Sequence, residues 1–285
     1  MTHQLHNVLI IANTAKDGAV EMTRQIAAYL RERNSNVEIF EYDRGASALP
    51  GDSRFNLAIT LGGDGTVLFA SRVLAERDTP ILPVNLGEFG FITEVSRDEW
   101  AAAIEAFRNG EILAGDRLVL DVCVLREGVE LCHFRGLNDA VVSSEGISRM
   151  VRLSVQLGDQ PLGVYRADGV MVATPTGSTA YSAAAGGPIL HPEMDALILN
   201  PICPFTLSHR PIVLPSDEIV YITVQPEQRT SVALTVDGQT LTPLATGDRI
   251  VITSAHARAR IIRSDQRTFY EVLRRKLNWS GGSDD

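Results

Sequence analysis

The stretch TLGGDGT, residues 60–66, closes the apolar run FNLAIT and sets an acid, Asp64, among Gly62, Gly63 and Gly65. Glycines open backbone angles denied to other residues and let a ligand approach peptide N–H groups, which bind phosphate. The following TVLFASRV has a helical pattern, so the positive end of a helix points at the same place and Thr66 is expected to cap it. Gly62, Gly63, Gly65 and Thr66 therefore read as a phosphate loop. A carboxylate there repels an anion unless it takes a proton or holds Mg²⁺. Asp64 is accordingly the expected catalytic residue, and phosphoryl transfer to a hydroxyl the expected chemistry. The bland alternative is a tight strand-to-helix turn with no ligand. The spacing is neither GxxxxGK[ST] nor GxGxxG, so the common P-loop and dinucleotide-fingerprint readings find little support.

Such a loop needs a strand before it and a helix behind it, and the first 115 or so residues supply both repeatedly. NVLIIAN is followed by DGAVEMTRQIAAYLRERN, with Met22, Ile26 and Tyr29 on one helical face, and then by NVEIFEY. LAITLG, TVLFASRVLAER, PILPVN and a helix opened by Ser96 and Glu99 at capping-box spacing continue the alternation. Buried strands separated by helices predict a parallel sheet with helices outside it. After Gly115 the period becomes two: RLVLDVCVLR, VELCHFRG, MVRLSVQLG, GVMVAT, EIVYITVQ, SVALTVDG and DRIVITS, separated by turns such as REG, LGDQP and VDGQ. The tail TFYEVLRRKLNW is helical again and is expected to dock on the first domain. The predicted fold class is α/β + β. An open α/β domain spans 1–115 with 266–285, and a β-rich, sandwich-like domain spans 116–265.

Two further stretches offer chemistry. In TPTGSTAYS, Thr176 to Ser182 present hydroxyls and backbone N–H groups before the small-residue run AAAGG, which suits a planar, polar ligand. The alternative is a capped helix packed through alanines. Tyr181 either stacks on a base or fills the core. Asn138-Asp139, at the start of the strand pattern AVVSS, suits the two hydroxyls of a ribose, although such pairs more commonly make turns or caps.

Composition excludes several classes. A net charge of -9 argues against a polyanion such as nucleic acid, and with only Lys16 and Lys276 as lysines a lysine-dependent phosphate cradle is not expected. The three cysteines are too few and too scattered for a disulfide framework or a thiolate zinc site. The six histidines have no metal-binding spacing. MTHQLHNVLIIAN lacks the make-up of a secretory signal, and no apolar run approaches about 18 residues, so a cytoplasmic protein without membrane partners is expected.

GGDGT after a strand resembles the signature of the NAD kinases and, more widely, of a superfamily with diacylglycerol, sphingosine and 6-phosphofructo kinases. DGVMVATPTGSTAYSAAAGGPIL, residues 168–190, resembles the long NAD kinase motif, and Asn138-Asp139 in RGLNDAVV its Asn-Glu or Asn-Asp pair. Most of the chain shares this likeness, including domain order and the aromatic end near LNW. The resemblance implies phosphoryl transfer from ATP to the 2′-hydroxyl of the adenosine ribose of NAD, with Mg²⁺ or Mn²⁺ as cofactor. It implies small nucleotides as partners and a homo-oligomer, dimer or tetramer, for which the strand edges of the β-rich half are the expected interface. Its implied NAD contacts are Asp64, Gly65, Asn138, Asp139, Arg149, Arg166, Asp168, Thr179, Ala180, Tyr181, Ser182 and Gln239. Among these, Asn138 and Asp139 would hold the ribose, Asp64 the 2′-hydroxyl and Asp168 the base. Asp139 stands where many relatives carry Glu, which shortens its reach. A lipid kinase of the same superfamily and a catalytically silent dinucleotide sensor are the alternatives.

Overall fold

The structure is a computed structural model that describes residues 3–43, 49, 53–87, 90–145, 150–206, 208–264 and 266–279. The chain forms two compact units, Met1–Asp116 with Ala259–Asp285, and Arg117–Arg258.

The first unit begins β1 (Asn7–Asn13), α1 (Ala19–Arg31), β2 (Asn36–Tyr42), β3 (Leu57–Gly62), α2 (Asp64–Leu74), β4 (Ile81–Asn85), α3 (Trp100–Asn109) and β5 (Ala114–Arg117). Every residue of β3 and β4 is buried, as expected of parallel strands covered on both faces. On α1, Ala19, Thr23, Ile26, Ala27 and Leu30 are buried, the single stripe that period 3.6 produces. Helix α3 starts one residue after Glu99. The Ser96–Glu99 pair makes half of a capping box, in which the Ser96 N–H donates to the Glu99 carboxylate at 2.8 Å.

The second unit contains β6 (Leu120–Arg126), β7 (Val129–Gly136), β8 (Asp139–Ser144), β9 (Val151–Leu157), β10 (Gln160–Ala167), β11 (Gly169–Ala173), α4 (Tyr181–Ala184), β12 (Ala196–Ile202), β13 (Ile212–Pro215), β14 (Val220–Val224), β15 (Val232–Val236), β16 (Thr240–Leu244) and β17 (Arg249–Ser254). They form two six-stranded sheets, ordered β10-β9-β14-β17-β6-β7 and β13-β12-β11-β8-β15-β16. Leu120, Val122 and Val124 of β6 meet Val170 and Val172 of β11 and Leu234 of β15 in one core, so the sheets pack face to face as a sandwich. The other face of the second sheet is covered too, since Val141, Met171, Ala173 and Ile198 pack with Leu190 and Ala185. That cover explains why β11 and β12 are buried throughout rather than alternating.

The chain then returns to the first unit through β18 (Ala259–Ile262), which pairs parallel to β4, and α5 (Phe269–Lys276). Residues 259–262, counted with the β-rich domain on sequence pattern, thus complete the first sheet, ordered β2-β1-β3-β4-β18-β5. Thr268 and Glu271 cap α5 with a reciprocal box. Arg267 holds Glu99 through two bonds of 2.9 and 2.8 Å, and Ser264 N donates to Glu94 at 3.2 Å.

Candidate functional site

In the first sheet, β2 lies on one side of β1 and β3 on the other, so the chain direction switches between β1 and β3. Ligands of open α/β sheets bind at the carboxyl ends of strands flanking such a switch. Asn13 ends β1 and Gly62 ends β3 at this point. A Cβ on Gly62 would stand 2.2 Å from Thr66 Oγ1 and 3.3 Å from Asn13 Cβ, so only glycine fits, whereas Gly63 has open space around its missing side chain. Lys16 follows β1 here, its Nζ 3.9 Å from where a Cβ on Gly87 would stand.

Helix α2 begins at Asp64, with Gly63 as an extended N-cap. Thr66 does not cap the helix as sequence spacing predicted: it lies inside the first turn, its N–H bonded to Gly63 O at 2.9 Å and its buried hydroxyl unpartnered. The paired glycines allow the helix to start two residues earlier. The Asp64 carboxylate reaches over to residues 91–93. Oδ1 accepts the Thr93 hydroxyl at 2.9 Å, Thr93 N–H at 3.1 Å and Ile92 N–H at 3.4 Å, whereas among the described residues Oδ2 accepts Phe91 N–H alone, at 3.2 Å. Oδ2 therefore keeps capacity for another donor. A Cβ on Gly90 would lie 2.0 Å from Oδ1. Gly90 and Thr93 are functional candidates that sequence reading missed.

In the second unit Asn138 and Asp139 come together with the turn after β11 and with Asp237 of the β15–β16 turn. Asp237 accepts the N–H groups of Leu137, Asn138 and Asp139 at 2.8, 2.7 and 3.2 Å. On the carbonyl side, Thr174 Oγ1 donates to Leu137 O at 2.5 Å and Thr174 N to Asn138 O at 2.8 Å, while Asp237 N donates to Asp139 O at 2.9 Å. Every backbone polar group of these three residues is thus engaged, and the buried Oδ1 of Asn138 and hydroxyl of Thr176 are left without partners. Asp139 is 5% exposed. Burial, and after it the charge of Asp237, pushes its carboxyl up to about 7.

The segment after β11 is pinned by its serines. Ser178 Oγ donates to Pro175 O at 2.6 Å and accepts Leu190 N–H at 3.0 Å, while Asn200 Nδ2 donates to Ser182 O at 3.1 Å. Gly177 and Gly187 are needed for this packing, because a Cβ on each would fall 2.1 Å from Asn138 O and 2.4 Å from Ser182 Oγ. Ser182 is buried, Thr179 half-buried and Ala180 exposed. Tyr181, 48% exposed, does not fill the core.

Asp168 is not gathered into this cluster. Asp139 pairs with Ala173 at one end of β11, whereas Asp168 precedes the other end and accepts Ser144 N–H, five residues and roughly 17 Å along β8. Arg166 lies near Asp168 in the chain, its guanidinium 5.2 Å from the Phe205 ring. Gln239 N–H closes the turn on Val236 O at 3.0 Å. Arg149 lies outside the described residues.

A doubly wound sheet with a glycine turn and a helix N-terminus at its switch point is an arrangement suited to binding phosphate groups. Residues 42–112 match the model of the ATP-NAD kinase N-terminal domain and residues 137–264 that of the ATP-NAD kinase C-terminal domain. An NAD kinase of Treponema denticola is 39% identical over 279 residues, 98% of each chain, and one of Geobacter sulfurreducens is 41% identical over 224 residues, 79% of this chain and 78% of that one. The fold is shared with yeast NADH kinase complexed with NADH, at a TM-score of 0.84 and 23% identity over 98% of this chain and 89% of that one. It is shared also with an Archaeoglobus fulgidus NAD kinase in complex with ATP, at a TM-score of 0.74 and 23% identity over 97% and 100%. The chain belongs to the ATP-NAD kinase family.

Proposed function

We propose that this enzyme transfers the γ-phosphoryl group of ATP to the 2′-hydroxyl of the adenosine ribose of NAD, releasing NADP and ADP. The observation that carries the reading in molecular terms is Asp64, placed at the first turn of α2 with Oδ1 saturated by 91–93 and Oδ2 able to take another donor. As the 2′-oxygen bonds to the γ-phosphorus and the bond to the β–γ bridging oxygen breaks, the hydroxyl proton passes to Asp64 Oδ2. Gly62, Gly63 and Gly65 serve the ATP phosphates through backbone N–H groups and the helix end, and Thr66, its own N–H taken by Gly63 O, stands in the first turn of that helix. Asn138 and Asp139 hold the ribose, and Thr179, Ala180, Tyr181 and Ser182 line the face that receives the adenine, with Tyr181 exposed for stacking.

Gln239, Arg149, Arg166 and Asp168 complete the proposed dinucleotide contacts. Asp168 stands too far along β8 from Asp139 to serve the same ribose, so it meets another part of the ligand or a ligand held by another copy in the proposed homo-oligomer. A divalent cation, Mg²⁺ or Mn²⁺, would neutralise the triphosphate. Among the described residues no group of three or more His, Cys, Asp or Glu is placed to hold a metal ion, which fits a cation carried mainly on phosphate oxygens. The proposed location is the cytoplasm; no described helix is long and apolar enough to cross a membrane.

The lipid-kinase alternative has no support from the two matching domain models, both of ATP-NAD kinase. Steady-state kinetics of Asp64→Asn test the proton-acceptor assignment. Loss of turnover by about 10² to 10⁴ with NAD binding retained supports it; abolished NAD binding with near-normal turnover at saturating NAD contradicts it.

A further inference from the structure

Asp237 is an ordinary residue for its turn: it and Gly238 both adopt left-handed φ, +53° and +61°, as Asp-Gly pairs favour in tight hairpins. Its carboxylate reaches beyond that turn. It crosses about one hundred residues of sequence to take three consecutive N–H groups at the start of β8. Gly136 makes the approach possible, because a Cβ there would stand 2.7 Å from Val236 Cγ1 and 3.1 Å from Asp237 Oδ1.

We infer that Asp237 is a positioning residue for NAD capture: one carboxylate fixes the backbone of Leu137, Asn138 and Asp139 and so sets where Asn138 and Asp139 present their side chains. The inference rests on the reading of those two residues as ribose ligands. Without this carboxylate three N–H groups lose their acceptor, and the segment keeps the bonds to its carbonyls, from Thr174 to Leu137 O and Asn138 O and from Asp237 N to Asp139 O.

The same carboxylate has an electrostatic consequence. Asp139 pairs with Ala173 on β11, and its carbonyl accepts the Asp237 N–H from the turn after β15; the charge that acts on its carboxyl is that of Asp237. Two carboxyl groups close together resist double ionisation, so Asp237 raises the pH at which Asp139 becomes an acceptor for ribose hydroxyls. A purely structural brace would leave that pH unmoved.

The test is the pH dependence of kcat/KM for NAD in wild type and Asp237→Asn at saturating ATP. The variant keeps one acceptor oxygen, removes the charge and turns an amide NH₂ toward the N–H donors. KM for NAD is expected to rise about tenfold or more with KM for ATP little changed, and the acid limb of the profile to move to lower pH. Unchanged KM for NAD, or a limb that stays in place, would overturn the proposal. Should the variant not fold, wild type and Asp139→Asn still decide: an acid limb at about pH 7 in wild type that vanishes in Asp139→Asn supports it, and a flat wild-type profile there refutes it. A wild type that forms no NADP at any pH would instead mark failure of the functional reading itself.

Discussion

Asp64 and Thr93 meet through a single oxygen: Oδ1 of Asp64 accepts the Thr93 hydroxyl at 2.9 Å and the Thr93 backbone N–H at 3.1 Å. The carboxylate proposed as proton acceptor is therefore oriented by a residue 29 positions further on, and its second oxygen takes the Phe91 N–H. Thr93→Val keeps the β-branched shape and deletes the hydroxyl bond. A fall in kcat of about tenfold is expected, the worth of one hydrogen bond to a charged group, with ATP affinity retained and activity restored in Thr93→Ser. Equal kcat in the valine variant would remove Thr93 from the site.

The two leading glycines of the loop should respond differently to a methyl group. In Gly62→Ala the new Cβ meets Thr66 Oγ1 at 2.2 Å, so loss of about 1–3 kcal/mol of stability is expected. In Gly63→Ala it meets nothing within 4 Å, and thermal unfolding should stay near wild type. If ligand phosphate packs against Gly63, however, KM for ATP rises in that variant. Differential scanning calorimetry and initial-rate kinetics read the two effects separately, and unchanged KM for ATP would take the phosphate away from this face.

Asp139 makes folding pH-dependent with a definite sign. Its carboxyl ionises near 3.8 when unperturbed and at about 7 in the fold, so between those values the folded chain holds a proton that the unfolded chain has released. Stability contributed by the protonated group is complete at the acid end and lost as pH rises through about 7. Asp139→Asn cannot ionise, and relative to wild type it should gain stability on the order of 3–4 kcal/mol at alkaline pH, with little gain in acid. Denaturant melts across that range check it; a gain independent of pH would show that the cost of Asp139 is not one of charge.

The Glu99–Arg267 pair works in the opposite direction. Its two bonds from Arg267, then the Ser96 N–H, hold the Glu99 carboxyl down at about 2. Stability from the ionised group is present above about pH 4.5 and lost as pH falls toward about 2. Arg267→Ala should cost about 1.5–3 kcal/mol at neutral pH and flatten the acid side of the stability curve. Proteolysis should also open near α5 first, since Arg267 ties this segment to α3. Wild-type stability and an unchanged acid curve in the variant would contradict this.

The sequence carried the parts of this design that are local. GGDGT lies at the end of β3, Asn138-Asp139 at the start of β8, and alternation marks β6, β7, β9, β15 and β17 because each has one face on the sandwich core. It concealed what depends on distant partners. Thr93 and Gly90 matter only because Asp64 folds against them, and Asp237 only because β15 pairs beside β8. Strand β12 has no alternation since both its faces are buried, β10 carries Pro161 and Gly163 at an exposed edge, and β18 has just four residues, whose place beside β4 is a matter of topology. Thr66 was misread as a cap because the N-terminus of α2 depends on the backbone freedom of Gly62 and Gly63, which no side-chain pattern records.

Position-specific phosphorylation of NAD is measured most directly in the product itself. Purified protein incubated with NAD, ATP and Mg²⁺ should yield a dinucleotide whose new phosphorus resonance belongs to a 2′-phosphomonoester, and which an NADP-dependent dehydrogenase reduces. Asp64→Asn under the same conditions should yield it at a rate lower by about 10² to 10⁴. No NADP at high enzyme concentration, or phosphate carried at another hydroxyl, would contradict the claim.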